Sequence, residues 1–151
     1  MSLRVAVACE DHTHDQYVVK PVVEMLLGAT GFQRAHVRVI TDPRINGIED
    51  LKANACAKTV VVAARQELEV WALWGSRDEV GVPWREIRAE LHPKEVFFDP
   101  LVTKSDLRAP GKGRARLIKK SLETGWSSLK QGCDELGVLQ TELTEILQDR
   151  D

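Results

Sequence analysis

Short β-branched runs alternate with helix-spaced stretches through the first half of the chain, and helical spacing alone fills most of the second half. Leu3-Arg4-Val5-Ala6-Val7-Ala8-Cys9 has the apolar, β-branched character of a buried parallel strand and ends in the polar cluster Glu10-Asp11-His12-Thr13-His14-Asp15. A helix is predicted from about Asp15 to Leu27. Its apolar face is Val18, Val19, Val22, Val23, Leu26 and Leu27, with Asp15 or a neighbour at the N-cap. Pro21 is expected within its first turns or at a kink, and Gly28 to Gly31 close it.

His36-Val37-Arg38-Val39-Ile40 reads as a second strand and Thr59-Val60-Val61-Val62-Ala63-Ala64 as a third, with a short helix at Ile48–Ala57 between them. Helical spacing returns at Gln66–Trp74, with Leu68 and Trp71 directed inward. Strands alternating with helices to residue 75 predict an α/β unit with a parallel sheet. From Pro83 the pattern changes. A short helix opens at Pro83–Ile87, His92–Pro110 is loop-like with Phe97-Phe98 as its anchor, and helices follow at Gly113–Thr124, Ser127–Leu136 and Val138–Gln148. The expectation is an α/β core over 1–75 with a mainly helical C-terminal half over 76–151 packed on it, compatible with one compact domain.

Composition narrows the class. The chain has 151 residues, 43% hydrophobic and 29% charged, and a net charge of −2, which excludes histone-like and acidic disordered proteins. No apolar run is long enough to span a membrane and no long apolar signal segment opens the chain, so a soluble cytoplasmic protein without a membrane partner is expected. Cys9, Cys56 and Cys133 are too scattered for a disulfide scaffold or a cysteine-built zinc site. The near-neutral total conceals an asymmetry: Lys104 to Lys130 carries eight basic and two acidic residues, a stretch suited to phosphates or to a solvated face.

Three constellations bear on chemistry. Glu10, Asp11 and Asp15 follow a strand of an open α/β sheet, where ligands gather, and carboxylates there suit a hard cation such as Mg²⁺, with Mn²⁺ as the alternative. His12 and His14 leave zinc open, although no further ligands follow at zinc spacing. Glu67 and Glu69 follow the third strand and point to different helix faces, so at most one turns toward the first cluster. Pro110-Gly111-Lys112-Gly113-Arg114 pairs glycines with cations as an anion-binding turn does, without the spacing of a Walker A loop; Lys112 and Arg114 are its candidate phosphate contacts. Serine, cysteine and nicotinamide motifs are missing, and the four tryptophans fit base stacking or, for Trp71 and Trp126, the core.

Val5-Ala6-Val7-Ala8-Cys9-Glu10 followed by a polar loop, Asp15 and a helix resembles the opening of a TOPRIM domain, the topoisomerase–primase module. The family's E-G-x-[ST]-D loop is here E-D-H-T-H-D, without the glycine and with one extra residue. Arg65-Gln66-Glu67-Leu68-Glu69-Val70-Trp71 is similar to the E-x-E-x-W stretch of uncharacterised bacterial TOPRIM-like families, in which a GR-containing helical segment follows, as Gly113-Arg114 does here. The D-x-D motif of that family occurs only as Asp149-Arg150-Asp151 in the tail. The resemblance implies a TOPRIM/Rossmann-like sheet and a Mg²⁺-dependent phosphodiesterase or nuclease. Glu10 would be the catalytic carboxylate, Glu10, Asp15, Glu67 and Glu69 the metal-site residues, and Lys112 and Arg114 would hold nucleic acid. The alternative is a non-catalytic nucleic-acid-binding or regulatory module on the same fold.

Overall fold

The computed structural model describes residues 3–9, 11–40 and 67–148. The predicted strand Thr59–Ala64 and helix Ile48–Ala57, as well as Glu10, Cys56, Asp149 and Asp151, lie outside them.

Two strands, β1 (Arg4–Val7) and β2 (His36–Val39), pair in parallel, with Arg4 opposite His36 and Val7 opposite Val39. The ladder is extended at both ends by His36 N–H to the Leu3 carbonyl and Ile40 N–H to the Val7 carbonyl, each at 2.7 Å. A parallel pair needs a crossover, and α1 (Gln16–Ala29) supplies it, burying Val18, Val19, Val22, Leu26 and Leu27. Pro21 lies inside α1, in its second turn, removing the N–H that would otherwise bond the Tyr17 carbonyl. The helix ends in a Schellman arrangement: Phe32 N–H reaches the Leu27 carbonyl at 2.8 Å, Gly31 N–H reaches the Gly28 carbonyl at 3.2 Å, and Gly31 takes φ 95°.

The rest of the described chain is helical. It comprises α2 (Glu69–Leu73) running into a 3₁₀ turn at Trp74–Ser76, then α3 (Arg77–Val80) and α4 (Trp84–Ala89). After α5 (Lys104–Arg108) come α6 (Arg114–Glu123), α7 (Trp126–Gly132) and α8 (Glu135–Gln148). The molecule is thus mixed α/β and mostly helical, with a small parallel sheet. All five residues of α2 are buried, so its burial extends beyond the Leu68 and Trp71 that the sequence spacing directs inward. The segment expected to be loop at His92–Pro110 is instead wound into a π turn (Lys94–Phe98), a 3₁₀ turn (Asp99–Leu101) and α5, with Phe98 as the buried anchor. Among the described residues no helix is long and apolar enough to cross a membrane.

One hydrophobic cluster joins the two halves: Val18 and Leu26 of α1 share it with Trp71, Leu117, Leu129 and Leu136. α2 and α6 cross at close range. A Cβ on Gly75 would lie 2.3 Å from the Lys120 carbonyl carbon, and Ser121 Oγ, donating to the Ala72 carbonyl, accepts the Gly75 N–H, both at 2.8 Å. Every indole N–H is bonded within the helical half: Trp71 to Glu135, Trp74 to Ser128, Trp84 to the Gly132 carbonyl and Trp126 to Gln140. Tryptophan here builds core and helix junctions.

Candidate functional site

The end of β1 turns sharply. Asp11 organises the turn with its own side chain: Oδ1 accepts Thr13 N–H at 3.0 Å and His14 N–H at 3.3 Å, and Oδ2 meets His14 Nδ1 at 2.7 Å. Those bonds to His14, with its charge, hold the Asp11 carboxyl below the usual carboxylate range. His14 is thereby committed to the loop, and among the described residues no group of three or more His, Cys, Asp or Glu side chains is arranged to hold a metal.

Asp15 occupies the N-cap position of α1 with helical backbone angles, and its side chain makes no cap bond. The carboxylate reaches back instead, accepting Asp11 N–H on Oδ2 at 3.1 Å. Half-burial, and beyond it the negative charges of Glu69 and Asp11, push the Asp15 carboxyl up, against the opposing pull of the Asp11 N–H and Arg114. The charge of Glu69 thus reaches Asp15 although the two lie 54 positions apart in sequence. Cys9 shares this negative surrounding; burial first, then Asp15 and Asp11, pushes its thiol up to about 11.

The two predicted carboxylates at the start of α2 part company. Glu69 faces Arg114 in a buried ion pair, with side-chain exposures of 7% and 9%. Glu67 turns to the π turn and accepts Lys94 N–H at 2.8 Å. Asp15 and Glu69 are thus brought to one rim and Glu67 is taken elsewhere.

Opposite them, Gly111, Lys112 and Gly113 all take positive φ, at 81°, 46° and 92°. Gly111 lies against the Tyr17 ring, where a Cβ would come within 2.6 Å of Cγ, so only glycine lets this turn approach α1. The turn delivers Arg114, first residue of α6, into the interior, where its guanidinium also stands 5.6 Å from the Phe98 ring centroid. The Arg114 Nε is buried with no partner among the described residues. Arg114, expected from sequence to contact phosphate, is engaged by a carboxylate, whereas Lys112 is exposed.

Sequence reasoning missed a second constellation. Thr103 and Asp106 form a reciprocal capping box on α5: Asp106 N–H donates to Thr103 Oγ1 at 3.1 Å, and Thr103 N–H donates to Asp106 Oδ2 at 2.8 Å. Arg116 clamps the same carboxylate, Nε to Oδ1 at 3.0 Å and Nη2 to Oδ2 at 2.7 Å, and Nη2 also donates to the Leu101 carbonyl at 2.8 Å. These bonds hold the Asp106 carboxyl far below the usual carboxylate range. The Thr-x-x-Asp spacing was the available signal for the box; nothing local announces Arg116. Comparison of the chain with family models, with curated proteins and with solved structures gave no match.

Proposed function

We propose that the rim beyond β1 is the centre of a Mg²⁺-dependent phosphodiesterase of TOPRIM type acting on nucleic acid, with Mn²⁺ as the alternative ion. The observation that carries this reading is the buried Glu69–Arg114 pair, both of whose charges act on Asp15 at the start of the crossover helix. A hard cation of this kind needs only one or two carboxylates and keeps its waters or takes phosphate oxygens for the rest. Asp15 and Glu69 fit that donor set, and Glu10 at the end of the first strand would complete it as the catalytic carboxylate. Glu67, bonded to Lys94, would stand outside it.

When bound, the metal would activate water and stabilise charge on the phosphate. The chain's own residues would divide the remaining work. Asp15, held by the Asp11 N–H, presents a fixed oxygen. Arg114 pairs with Glu69 in a dry setting and holds its carboxylate in place. Lys112, exposed on its turn, is free to meet a backbone phosphate by charge without reading sequence.

A second reading, a non-catalytic nucleic-acid-binding module, is favoured by one observation: Arg114 already supplies Glu69 with a cation. Incubation of labelled single-stranded DNA, duplex DNA and RNA with Mg²⁺ or Mn²⁺ separates the two. The phosphodiesterase reading expects cleavage that Glu10→Gln and Asp15→Asn abolish while binding and the circular dichroism spectrum persist. Binding without cleavage by wild type leaves the module, and cleavage retained by both variants overturns the assigned centre.

A further inference from the structure

The fold sorts six of the eight basic residues of the Lys104–Lys130 stretch into two sets, apart from the exposed Lys119 and from Lys130, which donates to Gln140. Arg114, Arg116 and Lys120 are paired with Glu69, Asp106 and Glu79. Lys104, Arg108 and Lys112 are exposed and have no carboxylate partner among the described residues. From Leu101 to Leu122 the only acidic residue is Asp106, and it is buried.

The geometry of α5 explains the sorting. At roughly 100° per residue, Lys104 and Arg108 share one face and Asp106 lies about 180° from their midpoint. Clamping Asp106 inward to Arg116 and Thr103 therefore fixes the roll of this short helix and turns both cations straight outward. Lys112 follows after Pro110, exposed on a turn closed by its N–H to the Ala109 carbonyl at 3.2 Å.

We propose that Lys104, Arg108 and Lys112 form a surface that follows the phosphate backbone of single-stranded nucleic acid, and that the Asp106–Arg116 clamp is its positioning device. The inference rests on the nucleic-acid reading above and extends it to residues outside the metal-site rim. Two cations one helical turn apart, about 6 Å, match neighbouring phosphates on an extended strand, and the surface carries no acid to repel them. A bilayer would require a wide apolar face, and Leu107 is the only large apolar side chain exposed on α5. The surface has no aromatic residue either, so contact with the strand is electrostatic and sequence-independent.

The test is fluorescence anisotropy of a labelled oligothymidylate titrated with the full chain at several salt concentrations without divalent metal. Wild type should bind with a steep salt slope. Lys104→Ala/Arg108→Ala/Lys112→Ala should weaken binding and lower the log–log slope by ~2 units, at ~0.7 per lost single-strand contact. Lys120→Ala removes a charge already paired with Glu79 and should leave the slope unchanged.

Two variants isolate the clamp. Asp106→Asn makes the protein more positive, so simple net charge predicts tighter binding whereas loss of positioning predicts weaker binding. Arg116→Lys keeps the charge but not the planar fork, and should weaken binding too. Tighter binding by Asp106→Asn with unchanged binding by Arg116→Lys overturns the clamp's role. A triple variant with wild-type affinity and slope, or a wild type that binds anionic vesicles and not the oligonucleotide, overturns the surface. Cleavage failing while the slope changes as expected overturns only the phosphodiesterase reading.

Discussion

Arg114 reaches Glu69 across 45 residues of sequence, and the two side chains meet where the crossover helix, α2 and the start of α6 converge. Both are almost fully buried, so each charge depends on the other. Removing one partner of such a pair is costly because the other stays charged in a dry setting. Arg114→Met should therefore destabilise the protein by about 3–5 kcal/mol, and Arg114→Met/Glu69→Leu should recover most of that loss. Urea unfolding followed by circular dichroism measures both; a loss below about 1 kcal/mol for the single variant would contradict mutual dependence.

The crossing at Gly75 leaves no room for a methyl group against the Lys120 carbonyl carbon. Gly75→Ala should cost on the order of 3 kcal/mol, because α2 and α6 must separate to admit it. Gly81→Ala is the contrast. Its Cβ meets nothing within 4 Å, and only its φ of 78° resists substitution, so the loss should be nearer 1 kcal/mol. Equal midpoints for the two variants in thermal melts would refute the close-packed crossing.

Asp106 links stability to acid. Its carboxyl is held far below the ordinary value, first by the bonds from Arg116, so it stays charged in the folded protein well after it would protonate in the unfolded chain. The stabilisation is complete above the unfolded pKa of about 3.9 and is lost as pH falls below it toward the folded value. Asp106→Asn should flatten the stability curve below about pH 4 while lowering it throughout the neutral range. An unchanged acid slope in the variant would show that other carboxylates carry the acid transition.

The thiols should respond to burial. Cys133 is fully buried and its thiol is pushed up to about 12, first by desolvation and then by Glu135, while the half-buried Cys9 stands at about 11. At pH 8 neither supplies an appreciable thiolate to an alkylating reagent. Peptide mapping after iodoacetamide treatment should show Cys133 essentially unmodified, Cys9 slowly modified, and both modified rapidly in urea. Native Cys133 reacting as fast as in urea would contradict its placement.

What the sequence disclosed followed the range of each signal. Apolar periodicity located the crossover helix, the strand at His36 and the helices after residue 113, because each spans enough residues for a period to register. It failed between Lys94 and Arg108, where turns of three to five residues are held by Phe98, the Thr103 cap and Arg116, none of which generates a repeat. It directed only Leu68 and Trp71 inward where all of α2 is buried, since a five-residue segment is too short for its polar face to be told from a buried charge. The carboxylates Asp15, Glu67 and Glu69 were legible as composition after apolar runs. Their pairing was not, because Glu69–Arg114 and Asp106–Arg116 are set by how helices stack.

The placement of the indoles has an optical consequence. All four tryptophans lie between residues 71 and 126, each tethered by its N–H within the helical half, and the strands and crossover helix hold none. Indole emission thus arises in one half of the molecule while the sheet and the crossover helix stay dark. Tyr17, the sole tyrosine, stands at the seam against Gly111. It is a donor whose energy transfer to the indoles, read by comparing indole emission excited where both rings absorb with emission excited where indole alone absorbs, measures whether the dark half remains docked on the bright one.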